Sequence, residues 1–417
     1  MTLRRSRGRS PVVLATTLLA LAALGGCGEA LTGPAEPITE LPRALSQAEV
    51  EIIAAGNAFA RDLLGQVHAA APDSTVFLSP LSASMALGMT MNGAAGETRT
   101  QMHDMLGFGG LSMQEVNESY RNLMALLGSL DPHVEVGVAN AAFHRDDFTM
   151  KPTFVQTLRD YFDARVDGLD FASPSATETM NAWVRAQTAN RIDKVVEPPI
   201  DPNLLLFLMN AVYFNGDWTT SFDPEDSYDG PFAGPAGSAT VRFMTKEDSV
   251  GYRATDDWQA VELTYGGGAW SMVLALPLGG AALSEVVADM DQLLDPEADW
   301  PGTNVALHMP RIELAWERLL NADLLALGME HAFDDRADFS GITDDIDLVV
   351  HFVKQNTFLK VDEVGTEAAA VTVVGIGPTC ACGPPEFRAD RPFFMAIRER
   401  LSGTVLFAGL IVEPPVG

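Results

Sequence analysis

The segment at residues 361–391 reads VDEVGTEAAAVTVVGIGPTCACGPPEFRADR, and it is hard to reconcile with an ordinary surface loop. A strand-like run leads into Gly365, and residues 368–385 then carry no charge and show no helical period. Loops normally face water and are seldom this long without polar side chains. The composition therefore predicts a connection that can enter a packed interior.

The same segment also has the alternation of a β-strand. Since successive strand side chains point to opposite faces, every second residue from 366 shares one face. Glycine at 375 and 377 and proline at 378 weaken such a strand. Two interpretations stay open: a central strand that is always in place, and a segment with one state inside a sheet and another outside it. The residues of the first face are small or medium and uncharged: Thr366, Ala368, Ala370, Thr372, Val374 and Ile376.

Composition limits the class of protein. The chain has 417 residues, of which 47% are hydrophobic, and this is enough to bury a large core, so disordered and collagen-like chains are excluded. Its 27 Lys and Arg against 56 Asp and Glu give a net charge of −29. A protein that binds nucleic-acid phosphates needs a basic face, so nucleic acid is not an expected partner.

The periodic patterns along the body predict an α+β fold. Helical patterns dominate the first half and strand patterns the second, without an internal repeat, which indicates large and mostly antiparallel sheets. The apolar run at 204–214 predicts a strand buried on both faces. We expect helices near residues 46–70, 79–89, 114–130, 152–163 and 176–195, and strands near 75–78, 240–245, 259–264, 270–276, 304–309, 349–361, 393–398 and 404–412.

Patterns that would indicate catalysis or metal binding are missing from the sequence. The seven His are scattered, and there is no H-E-x-x-H, G-x-S-x-G or phosphate-binding glycine loop. The glycines at 266–268 separate two strand-like runs and predict a turn. We therefore expect no enzyme activity, no cofactor and no metal site.

The amino terminus carries the pattern of an export signal. Four Arg precede an apolar stretch at 12–24, which is too short to span a membrane comfortably. The stretch ends in Leu-Gly-Gly-Cys at 24–27, which resembles the lipobox of bacterial lipoproteins. That resemblance implies a signal peptide at 1–26 and lipidation of Cys27. Residues 27–45 are rich in Pro, Glu and Thr and predict a flexible tether, followed by a single domain at 46–417. We expect an exported protein that is lipid-anchored to a bacterial membrane, and the Gly after Cys27 favours the outer membrane on its periplasmic or cell-surface side.

Four blocks of sequence resemble signatures of the serpin family, in the family's order and at its spacings. They are GTEAAA at 365–370, FLSPLS at 77–82, LMNAVYFNGDW at 208–218 and PEFRADRPF at 385–393. The similarity extends from about residue 46 to 414. It implies three mostly antiparallel sheets, eight or nine helices and an exposed reactive-centre loop at about 365–385. The implied activity is suicide inhibition: a target serine or cysteine protease cleaves the loop, which then inserts into the central sheet and traps the protease.

The resemblance also carries family roles to individual residues, in three groups. The hinge of the loop is Glu363, Gly365, Thr366, Glu367, Ala368, Ala369 and Ala370. The "shutter" beneath the opening sheet comprises Ser79, Ser82, Asn210 and Gln355, where Gln355 stands at a position at which the family often has His. The "breach", where insertion starts, comprises Trp218 and Arg311, and Arg311 is the expected partner of Glu363.

The scissile bond stays open between two spacings. Counting forward from the hinge gives Thr379-Cys380, whereas counting back from the distal prolines gives Ala381-Cys382. Every candidate side chain is small, which favours elastase-like or subtilisin-like targets. If Cys380 and Cys382 pair, cleavage between them leaves the halves tethered and prevents insertion, whereas free thiols impose no such control.

The alternative function is that of a non-inhibitory serpin acting as a binding or structural protein, because Gly375, Gly377 and Pro378 weaken the inserting strand. The helix near 116–130 carries Arg121 as its single basic residue, so no heparin-like activator is expected. We expect a monomer.

Overall fold

A computed structural model describes residues 1–2, 37–366 and 383–413. The chain divides into two compact units, Met1–Pro34 and Ala35–Gly417, and the architecture below is that of the second. Among the described residues there are nine α-helices, fifteen strands and one short 3-10 helix, so the predicted α+β class is confirmed. The helices are α1 (Gln47–Ala70), α2 (Pro80–Gly93), α3 (Gly96–Met105), α4 (Met113–Leu127), α5 (Pro152–Phe162), α6 (Pro174–Gln187), α7 (Leu283–Ala288), α8 (Met290–Leu293) and α9 (Asn321–Ala326), with the 3-10 turn at His331–Phe333.

The strands fall mostly in the second half of the chain, as the patterns predict. They are β1 (Val76–Leu78), β2 (Val134–Arg145), β3 (Arg165–Leu169), β4 (Leu206–Asp217), β5 (Tyr228–Gly234), β6 (Gly237–Ala254), β7 (Trp258–Tyr265), β8 (Trp270–Pro277), β9 (Gly302–Pro310), β10 (Ile312–Leu319), β11 (Lys354–Val361), β12 (Gly365–Thr366), β13 (Glu386–Arg388), β14 (Phe393–Glu399) and β15 (Val405–Ile411).

Three sheets are formed by the described strands. The largest has nine strands, with the order β1-β15-β14-β8-β7-β6-β9-β13 and β5 paired to β6. A four-stranded sheet has the order β12-β4-β2-β3, and β10 pairs with β11 in a two-stranded sheet. Pairing is antiparallel except between β2 and β3 and between β9 and β13. The predicted architecture of three mostly antiparallel sheets is thereby confirmed.

Local sequence explains where the first two helices begin. Ser46 caps α1 through a capping box: its hydroxyl accepts from the Glu49 N–H, and the Glu49 carboxylate accepts from the Ser46 N–H. Ser79 caps α2, with Pro80 in the first turn, where a missing N–H costs no hydrogen bond. Both caps satisfy N–H groups that the helix itself leaves unpaired.

Helix α6 lies over one face of the four-stranded sheet and makes a second, smaller core there. Trp183 of α6 packs edge-on against Phe143 of β2, with ring centroids 6.0 Å apart. The opposite face of the sheet belongs to the main core, where Phe214 of β4 packs against Trp270 of β8. The sheet is therefore covered on both sides, and its side chains alternate between two cores.

Two predicted elements have other bounds in the structure, and a third differs in burial. The helix predicted at 176–195 ends at Gln187, because Ala189 and Asn190 adopt positive φ angles of 46° and 62°. The strand predicted at 349–361 begins at Lys354, since the N–H of Val353 bonds to Asn321 at the start of α9 instead of joining the ladder. Strand β4, predicted to be buried on both faces, is only partly buried at most positions.

Residues 37–45, within the predicted tether, lie against the body. The N–H of Ile38 donates to the carbonyl of Gly267 at 2.8 Å, in the turn between β7 and β8 that the glycine run predicts. Ile38, Leu41 and Leu45 pack against the main core, and Arg43 bonds both carboxylate oxygens of the buried Glu49. Contact with the body thus begins before the boundary predicted at Ser46.

Candidate functional site

A cleft separates the two sheets that β4 and β11 border. Within the described residues, β4 pairs with β2 on one side and with only the two residues of β12 on the other, while β11 pairs with β10. A cavity of about 300 Å³ lies between the lower half of β4 and the segment 346–356. A smaller space of about 30 Å³ lies higher in the cleft, beside Thr366. The cleft is flanked by two strands that are not paired with each other.

The chain turns at the top of this cleft and starts back down along β4. The N–H of Asp362 donates to the carbonyl of Gly365 at 2.9 Å, and Gly365 and Thr366 then pair antiparallel with Asp217 and Gly216. Thr366 is buried, with 4% of its surface exposed. Strand β12 therefore occupies the entrance to the cleft.

Gly365 is the residue type that this close approach requires. A Cβ at position 365 would lie 2.3 Å from the carbonyl oxygen of Gly216 and 2.7 Å from the Cα of Asp217. Both contacts are to backbone atoms, which cannot rotate away as a flexible side chain can. Only glycine lets the two strands pair here.

Glu363 lies beneath this turn as a buried carboxylate with two side-chain partners. The Arg311 guanidinium donates to it at 2.9 Å and 2.6 Å, and the Ser227 hydroxyl donates to the same oxygen. Burial raises the pKa of the Glu363 carboxyl, but the hydrogen bonds from Arg311 and Ser227 outweigh it and hold the pKa below its ordinary value. The carboxylate is therefore charged at neutral pH and joins the base of the hinge to the start of β10.

Trp218 fixes the turn from the other side. Its indole N–H donates to the carbonyl of Asp362 at 3.0 Å, and its backbone N–H donates to the carbonyl of Val364 at 2.8 Å. Its ring stacks on Tyr265 with centroids 4.4 Å apart and planes inclined by 13°. The Tyr265 hydroxyl in turn lies 2.8 Å from Oγ1 of Thr366. Aromatic stacking and hydrogen bonds thus hold both ends of the turn.

A buried polar group lies beside the lower cavity where β11 passes the start of α2. The Gln355 amide donates to the carbonyl of Ser79 at 2.7 Å and accepts from the Ser79 N–H at 3.2 Å. The Ser79 hydroxyl donates to the carbonyl of Leu406 at 2.9 Å and accepts from the N–H of Ser82. Gln355 thereby links β11 to α2 and β15.

Asn210 borders the same cavity from β4. Its amide donates to Oδ1 of Asn140 at 2.7 Å, and Asn140 donates to the carbonyl of Phe162 at 2.8 Å. The side-chain oxygen of Asn210 is buried without a hydrogen-bond partner among the described residues. A buried acceptor without a donor is costly, so this position favours the arrival of a polar group in the cleft.

Comparison with known proteins identifies the family in which this arrangement of strands and cleft occurs. The sequence profile of the family described as "Serpin (serine protease inhibitor)" matches residues 54–414. The chain belongs to the serpin family. It is 34% identical to Iripin-5 of Ixodes ricinus over 373 residues, which cover 87% of this chain and 95% of that protein. It is 32% identical to leukocyte elastase inhibitor of Sus scrofa, covering 87% of this chain and all of that protein.

The fold is shared with solved serpin structures. The native structure of tengpin, a thermophilic serpin, superimposes with a TM-score of 0.78 at 28% identity, covering 91% of this chain and 97% of that one. The three-sheet architecture of this serpin therefore follows the family.

The structure brings the residues predicted from the serpin resemblance to two places along one cleft. Glu363, Gly365, Thr366, Trp218 and Arg311 meet at its top. Ser82, Gln355 and Asn210 line the lower cavity and Ser79 bonds to Gln355 beside it, although Asn210 bonds to Asn140 and not to the other three. The remaining predicted positions lie outside the described residues: Glu367, Ala368, Ala369 and Ala370 of the hinge, the candidate reactive-bond residues Thr379, Cys380, Ala381 and Cys382, and the lipidation site Cys27.

Three residues that form hydrogen bonds with the predicted residues of the serpin cleft were not predicted from the sequence. Tyr265 bonds to Thr366, Asn140 bonds to Asn210, and Ser227 bonds to Glu363. Each lies at least 70 residues from its partner in sequence, so no local pattern links the members of a pair. Only Tyr265 gave a signal, as a large aromatic residue directly before the predicted glycine turn.

Two negative findings concern only the part of the chain that the structure describes. No helix in it combines the length and apolar character needed to cross a bilayer. No group of three or more His, Cys, Asp or Glu in it has the geometry to hold a metal ion.

Proposed function

We propose that this serpin inhibits serine proteases by offering its reactive-centre loop as bait and inserting the cleaved loop between β4 and β11. Serpin loop insertion is an established example of strand addition and of the release of stored strain. The observation that carries the proposal for this chain is the start of β12 at the top of a cleft in which the described part of the chain leaves a cavity of about 300 Å³.

The register of β12 supports one way for the rest of the loop to enter. If the pairing of Thr366 with Gly216 continues, Ala368 arrives opposite Phe214 and Thr372 arrives opposite Asn210. Opposite residues of antiparallel strands point to the same face. Phe214 packs in the main core, so the face of the loop that carries small, uncharged side chains is the one that enters that core. This agreement between sequence alternation and observed register supports insertion over a loop that stays outside.

Thr372 has a specific partner in this register. It arrives opposite Asn210, whose side-chain oxygen lacks a donor in the described structure. A threonine hydroxyl can donate to it and satisfy a buried acceptor. Insertion therefore adds a hydrogen bond at the lower cavity besides those of the new strand ladder.

The length of the loop suits a trap. Fifteen residues from Gly365 to Thr379, at about 3.3 Å each, form a strand roughly 50 Å long. Burying apolar side chains at ~25 cal/mol per Å² and forming ladder hydrogen bonds favours the inserted state. A protease acylated at the carboxyl end of this strand is carried along the length of the sheet.

The target class follows from the small candidate side chains Thr379, Cys380 and Ala381. Shallow apolar primary pockets accept such residues, so elastase-like and subtilisin-like proteases are the proposed targets. The similarity to a protein named leukocyte elastase inhibitor points to the same class.

A direct test is incubation of the exported body with pancreatic elastase or subtilisin, followed by denaturing electrophoresis. We expect a covalent complex that survives denaturation, and mass spectrometry of its released peptide identifies the scissile bond. Trypsin is the matched control, since none of the candidate bonds follows Arg or Lys. A clipped chain without any complex would instead identify the non-inhibitory serpin that Gly375, Gly377 and Pro378 favour.

The two loop cysteines need a separate measurement. Inhibition rates with and without reductant are compared for the wild-type chain and for Cys382→Ser. A disulfide between Cys380 and Cys382 that blocks insertion predicts faster inhibition after reduction and no response in the variant. Equal rates with and without reductant would show that the redox state of the two cysteines does not control insertion.

We further propose that the inhibitor is anchored to a bacterial membrane through a lipid on Cys27, with the signal peptide 1–26 removed. The support is the apolar stretch and the Leu-Gly-Gly-Cys motif in the sequence. Expression in a bacterium with radiolabelled palmitate, followed by membrane fractionation, tests it. We expect label in the membrane fraction for the wild-type chain and none for Cys27→Ser, whereas equal partition of both would contradict the anchor.

A further inference from the structure

Tyr265 contacts Thr366 of the hinge, and neither the sequence nor the family resemblance singled it out. It is the last residue of β7 and is fully buried. Its hydroxyl lies 2.8 Å from Oγ1 of Thr366, which is itself buried. Two side chains 101 residues apart therefore share one hydrogen bond in a place that water does not reach.

The ring of Tyr265 is held on two sides, so its hydroxyl has a fixed direction. Trp218 stacks on one face, with centroids 4.4 Å apart. Phe214 packs edge-on at 5.0 Å with planes inclined by 69°. Burial raises the pKa of the Tyr265 phenol, and the hydrogen bond to Thr366 only partly offsets this. The phenol keeps its proton at physiological pH and can act as donor to Thr366.

Strand β12 begins the pairing of the hinge with β4, and within the described residues it comprises Gly365 and Thr366. Its ladder joins Gly365 to Asp217 and Thr366 to Gly216. A slip of one residue in this pairing would turn every later side chain to the opposite face. Gly365 has no side chain, so Thr366 is the first residue of β12 whose side chain can hold the strand in one register.

We propose that Tyr265 is a positioning residue for loop insertion: its hydroxyl holds Thr366 opposite Gly216 and so fixes the register in which the cleaved loop enters the cleft. The inference rests on the proposed function and deepens it. A loop whose hinge is already seated starts inserting at once, whereas an unseated hinge must first find its register. Deacylation of the protease competes during that delay, and the chain is then consumed as a substrate.

The test compares the variants Tyr265→Phe and Thr366→Val, which each remove one hydroxyl with little change of shape. We measure the moles of serpin consumed per mole of elastase inhibited. We also measure the rate at which the chain, nicked in its loop by a trace of elastase, gains heat resistance. We expect each variant to consume about twofold to tenfold more serpin and to insert more slowly by a similar factor, which is the equilibrium effect of one net hydrogen bond.

Three further variants separate register from general stability. The double variant Tyr265→Phe/Thr366→Val should be no worse than the single ones, because both hydroxyls serve one bond. Thr366→Ser keeps a hydroxyl and should recover most of the rate that Thr366→Val loses. Tyr120→Phe is the matched control: Tyr120 is equally buried, and its hydroxyl bonds to Ser84 and not to a residue of the hinge.

An unchanged insertion rate in Tyr265→Phe overturns the inference, and so does an equal slowing in Tyr120→Phe. The two readouts also distinguish this failure from that of the proposed function. A wild-type chain that gains heat resistance after nicking but traps no protease would contradict inhibition, while the insertion rates of the variants would still decide the role of Tyr265. A wild-type chain that never gains heat resistance overturns both.

Discussion

Arg311 and Glu363 form an ion pair under the hinge, with Nη2 and Oε1 2.6 Å apart. The carboxylate is buried, whereas the guanidinium side chain is 46% exposed. Arg311 therefore keeps about half of its side chain in contact with solvent, so the pair avoids part of the desolvation cost of a fully buried one. The pair joins Arg311, the residue between β9 and β10, to the turn from which the reactive-centre loop departs.

Removing the guanidinium should destabilise the uncleaved serpin. In Arg311→Met the Glu363 carboxylate stays buried but keeps only the Ser227 hydroxyl as a side-chain donor. We expect the free energy of unfolding to fall by about 1–3 kcal/mol, measured by urea denaturation at pH 7. Arg336→Met is the control, because that guanidinium lies on an exposed surface with Asp334.

The same pair predicts a pH dependence. The folded-state pKa of Glu363 lies below its ordinary value of 4.5, so the carboxylate contributes stability above that pH and loses it as the pH falls below it. The difference in unfolding free energy between wild type and Glu363→Gln should therefore be largest near pH 7 and shrink below pH 4.5. Glu317→Gln, at a carboxylate that is 57% exposed and pairs with Lys354, should show a much smaller difference at every pH. A difference for Glu363→Gln that is independent of pH contradicts the assignment.

Gly365→Ala should prevent the hinge from seating. The added methyl group meets the Gly216 carbonyl oxygen at 2.3 Å, so β12 must separate from β4. We expect the variant to be cleaved by elastase without forming the stable complex. Gly110→Ala provides the comparison, because a Cβ there meets no atom within 4 Å. Normal complex formation by Gly365→Ala would show that β12 pairing is not needed for insertion.

A charge on the inward face of the loop should convert the inhibitor into a substrate. If the register of β12 continues, Ala368 arrives opposite Phe214 and faces the main core, whereas Ala369 arrives opposite Tyr213 on the other face. Burying an unpaired carboxylate is far more costly than exposing it, so Ala368→Glu should inhibit much less than Ala369→Glu. Thr366→Arg should also be cleaved as a substrate without inhibiting the protease, since it places a guanidinium against Tyr265. Equal inhibition by the two Ala variants, measured as stoichiometry with elastase, contradicts this register.

Gln355→Met should weaken the link between β11 and α2. The substitution keeps the length of the side chain but leaves the buried N–H of Ser79 without its acceptor. We expect a loss of about 1–3 kcal/mol in unfolding free energy. Asn356→Leu, on the outer face of the same strand, removes only an exposed bond to Glu317 and should cost less than half as much. The two variants are compared by urea denaturation of the uncleaved chain.

The segment 37–45 should stabilise the body. A chain that begins at Ser46 loses the packing of Ile38, Leu41 and Leu45 and the pairing of Arg43 with Glu49. We expect its melting temperature to lie below that of a chain beginning at Pro37, because the buried apolar side chains and the guanidinium that pairs with the Glu49 carboxylate are both removed. Equal melting temperatures would show that this segment is the passive tether that its composition predicts.

The sequence by itself determined the features that are encoded locally. The alternation from Thr366 to Ile376, the capping pattern at Ser46 and Ser79, and the glycine turn at 266–268 each depend on neighbours within a few residues. The ordered family blocks added the fold, because they record the long-range pairing of a whole family and not of one segment. These features gave the α+β class and most members of the cleft.

Only the tertiary structure decided which distant residues share an environment. In it β4 lies beside β11 without pairing with it. Tyr265 forms a hydrogen bond with Thr366, Asn140 with Asn210, and Ser227 with Glu363. Strand β11 begins at Lys354 and not at the predicted residue 349, because the N–H of Val353 bonds to Asn321 at the start of α9. A periodic pattern states which face of an element is apolar but not what that face meets, because the partner is selected by the packing of the whole chain.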